Sequence, residues 1–396
     1  MKALRQIGAL LAFNLRSLPS RIGSATVAVV GIAFVVIVLV GLLSIAEGFR
    51  SVMVVAGSPD TALVMRSGAD SEMTSVMTRT DVDAIRDAPG VARGADGKPL
   101  VSPELFVIVD LPKRTTNTSA NVPLRGVERG AFAIRPEVKI VEGRMFEWGR
   151  NEVIIGRGAH AEFGNADVGS ELRFGTNSWK VVGMFEANGS ISESELWSDA
   201  AVLGPAYQRN STYSIVVTKL ASPGTFTQFK DALTTDPKLS VKVQHEAEYY
   251  EAQSRTLRQL VTGLALIVCS LMGLAAIFGA LNTMYTAVAA RAREIATLEA
   301  LGFGGFAVLV SVIVESLLLA LIGGIIGAGI AYAGFDGYRA ATMNWQTFSQ
   351  VAFAFDVTPR LMVWAALYAL GIGLIGGFFP AIRAARIPIA AALRGR

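Results

Sequence analysis

The sequence predicts an α-helical membrane domain of four transmembrane helices, with an α+β domain inserted between the first and the second helix. Apolar residues make up 52% of the 396 positions and the mean hydropathy is +0.46, which is more than an ordinary soluble protein of this size shows. Charged residues are absent from a few long windows and near their normal density elsewhere. This mosaic is typical of spanning helices joined to a soluble domain.

Four windows are long and apolar enough to cross a bilayer. The first, residues 22–46, has 25 residues without a charge or a proline, which exceeds a hydrocarbon core of ~30 Å at ~1.5 Å per residue. The second, residues 260–290, has 31 residues, so this helix is expected to continue beyond the bilayer as a stalk. The third is 306–335, interrupted only by Glu315, and the fourth is 361–382. A cleaved signal peptide is the alternative interpretation of the first window, but that window is about twice as long as the apolar run of such a peptide.

The Lys and Arg residues that flank the helices predict the orientation of the chain. The segment before the first helix carries four basic residues and no acid, and the tail after the fourth helix does the same. They are Lys2, Arg5, Arg16 and Arg21 at the beginning, and Arg383, Arg386, Arg394 and Arg396 at the end. Both termini and the 291–302 turn are therefore expected in the cytoplasm, with residues 48–258 and 336–360 outside. Residues 48–258 hold 24 Lys and Arg against 26 Asp and Glu, so the basic pI of 9.2 reflects membrane topology and does not indicate nucleic-acid binding.

The chain is accordingly expected to divide into four parts. Residues 1–21 form a basic cytoplasmic segment and residues 22–47 form the first transmembrane helix. Residues 48–257 form the external domain. Residues 258–396 form a C-terminal domain with the second, third and fourth helices.

Within the external domain, the order strand, helix, strand occurs twice, at about 60–111 and again at about 213–244. The first of these stretches contains a short predicted helix at 81–88. The two stretches are expected to form one α/β subdomain, interrupted by an insert at about 120–207. Short β-type runs between Gly and Asn residues predict that the insert is mainly β. Residues 245–259 are polar and helix-permissive, so the junction with the second membrane helix is either a continuous helix or a hinged linker.

The sequence offers no catalytic, cofactor-binding or metal site, so the chain is not expected to be an enzyme. Residues 156–161 fit a loose dinucleotide fingerprint, but no second βαβ unit of the right length follows, and a tight turn is the better interpretation. The stretch around Lys98 lacks the first glycine and the Ser or Thr of a phosphate loop. Two histidines and one cysteine, Cys269, do not support a transition-metal site or an intrachain disulfide. Glu193 and Glu195 are interpreted as a solvated loop.

The membrane helices carry small-residue pairs and one acid. Gly323 and Gly327 in the third helix, and Gly373 and Gly377 in the fourth, allow close helix packing, either within one chain or between two. Glu315 is the only acid in the four windows, where a carboxylate costs ~2.5–3.5 kcal/mol at a helix centre. A functional role and a hydrogen-bonded structural role are equally compatible with its position.

The turn between the second and third membrane helices reads R-A-R-E-I-A-T-L-E-A-L-G. Three apolar residues recur at three-residue spacing on one helical face, and Gly302 supplies a C-terminal stop. A short amphipathic helix at the membrane surface and a docking surface for a cytoplasmic partner both fit this pattern. The candidate docking residues are Arg291, Arg293, Glu294, Ile295, Leu298, Glu299, Leu301 and Gly302.

Three motifs carry a resemblance to a known family. They are R-E-I-A-T-L-E-A-L-G at 293–302, E-S-L-L-L-A-L-I-G-G-I-I-G at 315–327 and F-P-A-I-R-A-A-R-I-P-I-A-A-A-L-R at 379–394. Together they resemble the FtsX-like permease domain of MacB-type ABC transporters, the type VII family, and the order of one helix, an external domain and three more helices is similar over nearly the whole chain. Two positions depart from the family pattern, because Ala296 stands where Gly is common and Glu299 stands where a basic residue is common.

The resemblance implies a permease subunit without a fused ATPase domain, in the inner membrane of a bacterium. It implies a second permease copy or homologue, and a separate cytoplasmic ATPase that binds ATP and Mg and docks on the 291–302 turn. It further implies contact with membrane lipid, and a periplasmic adaptor or lipoprotein as a further partner. In that family ATP hydrolysis moves the periplasmic domain, which would drive export or extraction of a periplasmic or outer-leaflet substrate. A transenvelope signalling protein that regulates a periplasmic hydrolase is the alternative.

Overall fold

The computed structural model of the protein describes residues 22–175 and 177–388. The predicted basic segment 1–21 lies outside these residues, as do Arg394 and Arg396. Contacts within the chain divide it into two compact units. Of the described residues, 22–47, 259–338 and 355–388 belong to the helical unit, and 48–175, 177–258 and 339–354 belong to the mixed unit.

The elements are numbered in chain order. The helices are α1 (Ile22–Val55), α2 (Arg79–Arg86), α3 (Gly130–Ile134), α4 (Arg157–Glu162), α5 (Ala200–Ala206), α6 (Phe226–Thr234), α7 (Glu246–Ala290), α8 (Ala292–Ala300), α9 (Gly305–Phe335) and α10 (Pro359–Ala384), with short 3-10 turns at Ile191–Ser194 and Pro223–Thr225. The strands are β1 (Thr61–Arg66), β2 (Met77–Thr78), β3 (Val101–Pro112), β4 (Ser119–Val127), β5 (Lys139–Gly143), β6 (Glu152–Gly156), β7 (Glu171–Phe174), β8 (Asn177–Glu186), β9 (Leu196–Asp199), β10 (Thr212–Tyr213), β11 (Ile215–Lys219), β12 (Val241–His245), β13 (Arg339–Asn344) and β14 (Ser349–Ala354).

Four helices in the described ranges, α1, α7, α9 and α10, are long and apolar enough to cross a membrane. They coincide with the four predicted windows, and a domain of mixed α and β structure lies between α1 and α7 in the chain. The predicted fold class is therefore confirmed. The helix α1 continues to Val55, beyond the end of its apolar window at 46, because a charge such as Glu47 ends an apolar run without interrupting helical hydrogen bonds.

In the helical unit, the first predicted glycine pair packs against α1. A Cβ atom added to Gly327 would lie 2.5 Å from the carbonyl oxygen of Ala33, and one added to Gly323 would lie 2.8 Å from that of Val29. Neither separation leaves room for a methyl group. The two glycines therefore let the backbones of α1 and α9 approach closely within one chain.

The second predicted glycine pair packs against α9. A Cβ atom on Gly377 would lie 2.5 Å from the Cβ of Ser316, and one on Gly373 would clash with the Cβ of Ala320. The Ser316 hydroxyl donates a hydrogen bond of 2.6 Å to the Gly373 carbonyl. Both glycine pairs thus serve contacts inside this chain.

The mixed unit contains a ten-stranded sheet with the order β12-β1-β11-β3-β4-β9-β6-β8-β5, and β7 pairs with β8. Among the first four strands in that order, each is antiparallel to its neighbours. With α2 and α6 they form a βαββαβ unit, the split βαβ arrangement. Helix residues Val82, Ile85, Phe229 and Leu233 are buried in its core. The two predicted strand, helix, strand stretches therefore share one sheet.

The helix α2 starts at Arg79, two residues earlier than the sequence predicts. Thr78 is its N-cap, and its side chain accepts a hydrogen bond from the Asp81 backbone N–H while the Asp81 carboxylate accepts one from the Thr78 N–H. This reciprocal capping box satisfies two backbone donors that the first helical turn leaves free. The cap therefore sets the start of the helix.

The strand β3 joins the split βαβ unit to the insert. Its residues 101–104 pair with β11, and its residues 105–112 pair with β4. The partner strand therefore changes directly after Glu104. The insert builds its own core around Phe163, Trp179 and Leu196.

The loop between α9 and α10 contains an antiparallel hairpin, β13 and β14, that belongs to the mixed unit. The Ala352 backbone N–H donates to the Ser194 hydroxyl at 3.0 Å, and the Asn121 side-chain amide donates to the Phe348 carbonyl at 2.8 Å. Phe353 also packs edge-on against Phe49 with ring centroids 5.8 Å apart. No pattern in the sequence predicted this hairpin.

Candidate functional site

The candidate site is the helix α7 with the groups at its two ends. The helix is continuous over 45 residues from Glu246 to Ala290, which corresponds to a length of ~68 Å at ~1.5 Å per residue. Two acids, Glu246 and Glu248, lie in its first turn, where negative charge is favourable, and the helix contains no proline. Of the two predicted junctions, the structure has the continuous helix. We call α7 the stalk helix.

Six ionisable side chains gather at the N-terminal end of the stalk helix, all in the mixed unit. Each residue is at most 6% exposed. We call them the buried ionic cluster, and they are Glu72, Glu104, Arg125, Arg135, Glu195 and Glu246.

Arg125, on β4, is the centre of the cluster. Its Nε and Nη2 atoms donate to the two carboxylate oxygens of Glu195, each at 2.7 Å. Its Nη1 atom donates to Glu72 at 2.6 Å and to Glu104 at 2.9 Å. Glu72 and Glu104 come from the split βαβ unit and Glu195 from the insert, so one guanidinium holds both parts of the domain together.

Arg135 extends the cluster to the stalk helix. Its Nη1 atom donates to Glu104 at 2.5 Å, and its Nη2 atom lies 3.9 Å from an oxygen of Glu246. The second oxygen of Glu246 accepts a hydrogen bond of 3.3 Å from the Ser58 backbone N–H. Glu246, the first residue of the stalk helix, thus belongs to the same network as Glu104, the residue after which β3 changes its partner strand.

Burial and charge pairing oppose each other in the cluster. Burial raises the pKa of the Glu72 carboxyl, and Arg125 only partly offsets this. Burial acts in the same direction on Glu104, but Arg135 and Arg125 outweigh it and hold the pKa of Glu104 below its ordinary value. Burial disfavours the charge on Arg125, but three carboxylates outweigh it and raise its pKa well above the ordinary value. Arg125 and Glu104 therefore stay charged.

The interpretation of Glu193 and Glu195 as a solvated loop is wrong for Glu195. Glu195 is 2% exposed, and it also accepts a hydrogen bond of 2.7 Å from the Trp197 indole. Glu193 is half-buried, and its carboxylate accepts backbone N–H bonds from Ala187 and Gly189 at 2.8 and 2.7 Å. Both carboxylates serve as internal acceptors that fix the local chain.

At the C-terminal end of the stalk helix, Arg291 connects α7 to α8. The α8 segment turns Ile295 inward, and Leu298 packs partly against the same apolar cluster of the helical unit. Leu301 is 74% exposed, so the predicted stripe of three apolar residues is divided between the interior and the surface. Gly302 has φ +95°, a left-handed conformation that suits glycine, and it follows directly after the helix.

The remaining predicted docking residues differ in exposure. Arg293 and Glu294 are exposed, Glu299 is half-buried and Arg291 is buried. Arg291 Nη2 donates to both carboxylate oxygens of Glu315, at 2.5 and 2.6 Å. Of the two roles considered for Glu315, the structure shows the bonded one.

The buried ionic cluster was not predicted from the sequence. Its members are far apart in the chain, so no spacing motif connects them. One signal was present, because Glu104 directly precedes an apolar run of five residues in β3, and Arg125 is the one charged residue of β4. Within residues 22–175 and 177–388, no group of three or more His, Cys, Asp or Glu residues could hold a metal ion.

Two family models match the chain. One describes a MacB-like periplasmic core domain and matches residues 25–236, and the other describes an FtsX-like permease C-terminal domain and matches residues 266–389. Together with the four membrane helices and the inserted domain, these matches define a permease component of an ABC transporter. The chain belongs to the MacB-like family, since the first model alone covers 212 of its 396 residues.

Individual relatives agree with this assignment. The macrolide export ATP-binding/permease protein MacB of Neisseria gonorrhoeae is 25% identical over 292 residues, 68% of this chain and 43% of that protein. MacB of Nitrosomonas europaea is 24% identical over 391 residues, 92% of this chain and 55% of that protein. The uncharacterized ABC transporter permease YknZ of Bacillus subtilis is 31% identical over 139 residues, 34% of this chain and 30% of that protein. The chain thus spans about half the length of the MacB relatives.

Solved structures of related domains also align with the chain. The extracellular domain of YknZ from Gram-positive bacteria covers 47% of this chain and aligns over its whole length, with 17% identity and a TM-score of 0.36. The periplasmic region of MacB from Actinobacillus actinomycetemcomitans covers 52% of this chain and aligns over 94% of its own length, with 14% identity and a TM-score of 0.36. The family matches, rather than these alignments, identify the mixed unit as the periplasmic domain.

Proposed function

We propose that this permease converts ATP hydrolysis by a cytoplasmic partner into movement of its periplasmic domain, and that this movement drives export or extraction of a periplasmic or outer-leaflet substrate. The observation that carries the proposal is the uninterrupted stalk helix, Glu246–Ala290. A helix transmits displacement along its axis because its hydrogen bonds leave no joint. The buried ionic cluster binds its first residue to both parts of the periplasmic domain.

In this proposal the partner is an ABC ATPase that binds ATP and Mg and docks on the 291–302 turn. Exposed charges of both signs at Arg293 and Glu294, beside the exposed apolar side chain of Leu301, suit a protein contact. Arg383 in the last turn of α10 and Arg386 just after this helix support a cytoplasmic location of this side. The proposal includes a cytoplasmic location of both termini.

The proposed assembly contains a second permease copy or homologue. The stalk helix presents large exposed apolar side chains within the membrane window, among them Leu264, Leu271 and Phe278 at 50%, 65% and 69% exposure. Such a face requires lipid or another apolar helix. A periplasmic adaptor or lipoprotein that binds the moving domain is the remaining proposed partner.

The docking surface is tested by co-purification of the chain with its ATPase. Leu301→Asp is the sharpest variant, because Leu301 is exposed and its replacement does not disturb the interior, whereas Leu298 is partly buried. We expect Leu301→Asp to abolish co-purification. Val141→Asp, the same change at an exposed aliphatic residue of the periplasmic domain, should leave it intact. Retention of the ATPase by Leu301→Asp would refute the docking assignment.

A further inference from the structure

Arg291 has an unusual place in the chain, since it is the single residue between α7 and α8. Its backbone N–H donates to the Val288 carbonyl at 3.2 Å, and its carbonyl accepts from the Ile295 N–H at 2.9 Å. Its side chain is 5% exposed and reaches Glu315 on α9, whose side chain is 6% exposed. One residue therefore connects three helices.

The ion pair is poorly explained by stability alone. A buried ion pair gives up the hydration of both groups, and an apolar pair of similar volume is often as stable or more stable. The pair instead restricts the relative orientation of the two residues, because a planar guanidinium can bind a carboxylate only in a narrow range of orientations. Arg291 Nη2 contacts both oxygens of Glu315, at 2.5 and 2.6 Å.

The remaining contacts of α8 leave its orientation less well determined. Ile295 is buried in the apolar cluster that contains Val308 and Val312 of α9 and Ala384 of α10, and Ala296 is also buried. Apolar packing restricts the angle of a helix only within ~15–20°, since dispersion contacts are not directional. The Arg291–Glu315 pair is the directional contact at the start of α8.

We propose that Arg291 and Glu315 are positioning residues that fix the angle of α8 against α9, so that a force applied to α8 moves the stalk helix and α9 together. The link to force rests on the proposed function, whereas the fixed angle of α8 does not. By fixing α8, this pair also fixes the positions at which Arg293, Glu294 and Leu301 meet the ATPase.

The test uses the full chain in nanodiscs, with Cys269→Ala and a spin label at Thr297→Cys, an exposed position of α8. Glu315→Gln and Arg291→Lys should both increase the mobility of the label in the absence of any ATPase. In unlabelled chains the same variants should weaken ATPase binding about tenfold, a loss of ~1.4 kcal/mol. The reversed pair Arg291→Glu with Glu315→Arg should restore both properties to within about threefold.

Tyr368→Phe is the matched control, because it removes a different hydrogen bond of the helical unit, the 2.6 Å bond from Tyr368 to the Cys269 carbonyl. It should leave the label at Thr297 unchanged. If Glu315→Gln does not fold, Arg291→Lys still allows the measurement, because it preserves the positive charge. An unchanged label in Arg291→Lys, or a reversed pair that behaves like the single variants, would overturn the positioning role. If the label responds as expected but the wild-type chain binds no ATPase, the proposed function fails and the positioning of α8 stands.

Discussion

At the residue scale, helix packing in the helical unit depends on glycines, which have no side chain. Packing in the periplasmic domain depends on the hydrogen bonds that a buried arginine donates. Gly323, Gly327, Gly373 and Gly377 leave space that neighbouring helices fill. Arg125 donates hydrogen bonds to three buried carboxylates, which come from both parts of the domain. In both cases a single side chain, or its absence, determines how two larger parts pack.

We expect Gly377→Ala to destabilise the helical unit by ~1–3 kcal/mol, because its Cβ would lie 2.5 Å from the Cβ of Ser316 and force α9 and α10 apart. Thermal unfolding of the full chain in detergent measures the change. Gly371→Ala in the same helix is the matched control, since no atom lies within 4 Å of its added Cβ. Equal melting temperatures for the two variants would show that the close contact does not exist.

We expect Arg125→Met to destabilise the periplasmic domain by ~3–5 kcal/mol, because it leaves the carboxylates of Glu72, Glu104 and Glu195 buried without their common partner. Tryptophan fluorescence during unfolding of the full chain reports this through Trp197, which is buried and bonded to Glu195. Lys98→Met removes one partner of an ion pair whose side chains are 81% and 61% exposed, so it should leave unfolding unchanged. A similar response to both substitutions would contradict the structural role of the cluster.

The residue-scale predictions succeeded where the determinant is local and failed where it is not. Small-xxx-small spacing marked the glycine contacts because helical periodicity places both residues on one face. The partner of Glu315 could not be read from the sequence, since Arg291 lies 24 positions away and was assigned to the docking surface. For Glu195 the flanking serines and acids indicated solvent, but the insert folds over the side chain.

At the element scale, the chain passes between the two units within α1, within the stalk helix and on either side of the 339–354 hairpin. The four apolar windows predicted the membrane helices well, because lipid imposes a strict requirement on length and charge. Sequence patterns could not decide between a continuous helix and a hinge at 245–259, because the stretch is polar in either case. The hairpin was missed, since its pairing with the periplasmic domain depends on contacts distant in the sequence.

We expect Ser194→Ala to loosen the hairpin, because the Ala352 backbone N–H loses its acceptor at 3.0 Å. A hydrogen bond of this kind contributes ~0.5–1.5 kcal/mol, so amide exchange over residues 349–354 should accelerate by about twofold to tenfold. Hydrogen exchange of the full chain, followed by mass spectrometry, measures it. Ser192→Ala in the same 3-10 turn is the control and should leave the exchange rate of the hairpin unchanged. Equal rates in the two variants would mean that Ser194 does not hold the hairpin.

At the scale of the whole molecule, the helices α1 and α7 both run from the membrane unit into the periplasmic unit, and α7 has a buried ion pair at each of its ends. At one end Glu246 joins the cluster of Arg125 and Arg135, and at the other Arg291 pairs with Glu315. Exposed linkers between domains permit independent motion. The stalk helix is not such a linker, because it is continuous and has an ion pair at each end. In the proposed function it transmits force, which is the central claim.

The most direct test of this claim is a distance measurement between permease copies in the ATPase complex. With Cys269→Ala, a spin label at Lys98→Cys, an exposed site of the periplasmic domain, gives one label per chain for pulsed electron spin resonance in nanodiscs. We expect the distance between labels to shift between the nucleotide-free and the ATP–vanadate states. We expect Ala252→Pro, which breaks the stalk helix at an exposed position, to abolish the shift while ATP hydrolysis continues. An identical distance in both states of a wild-type complex that hydrolyses ATP would contradict the account.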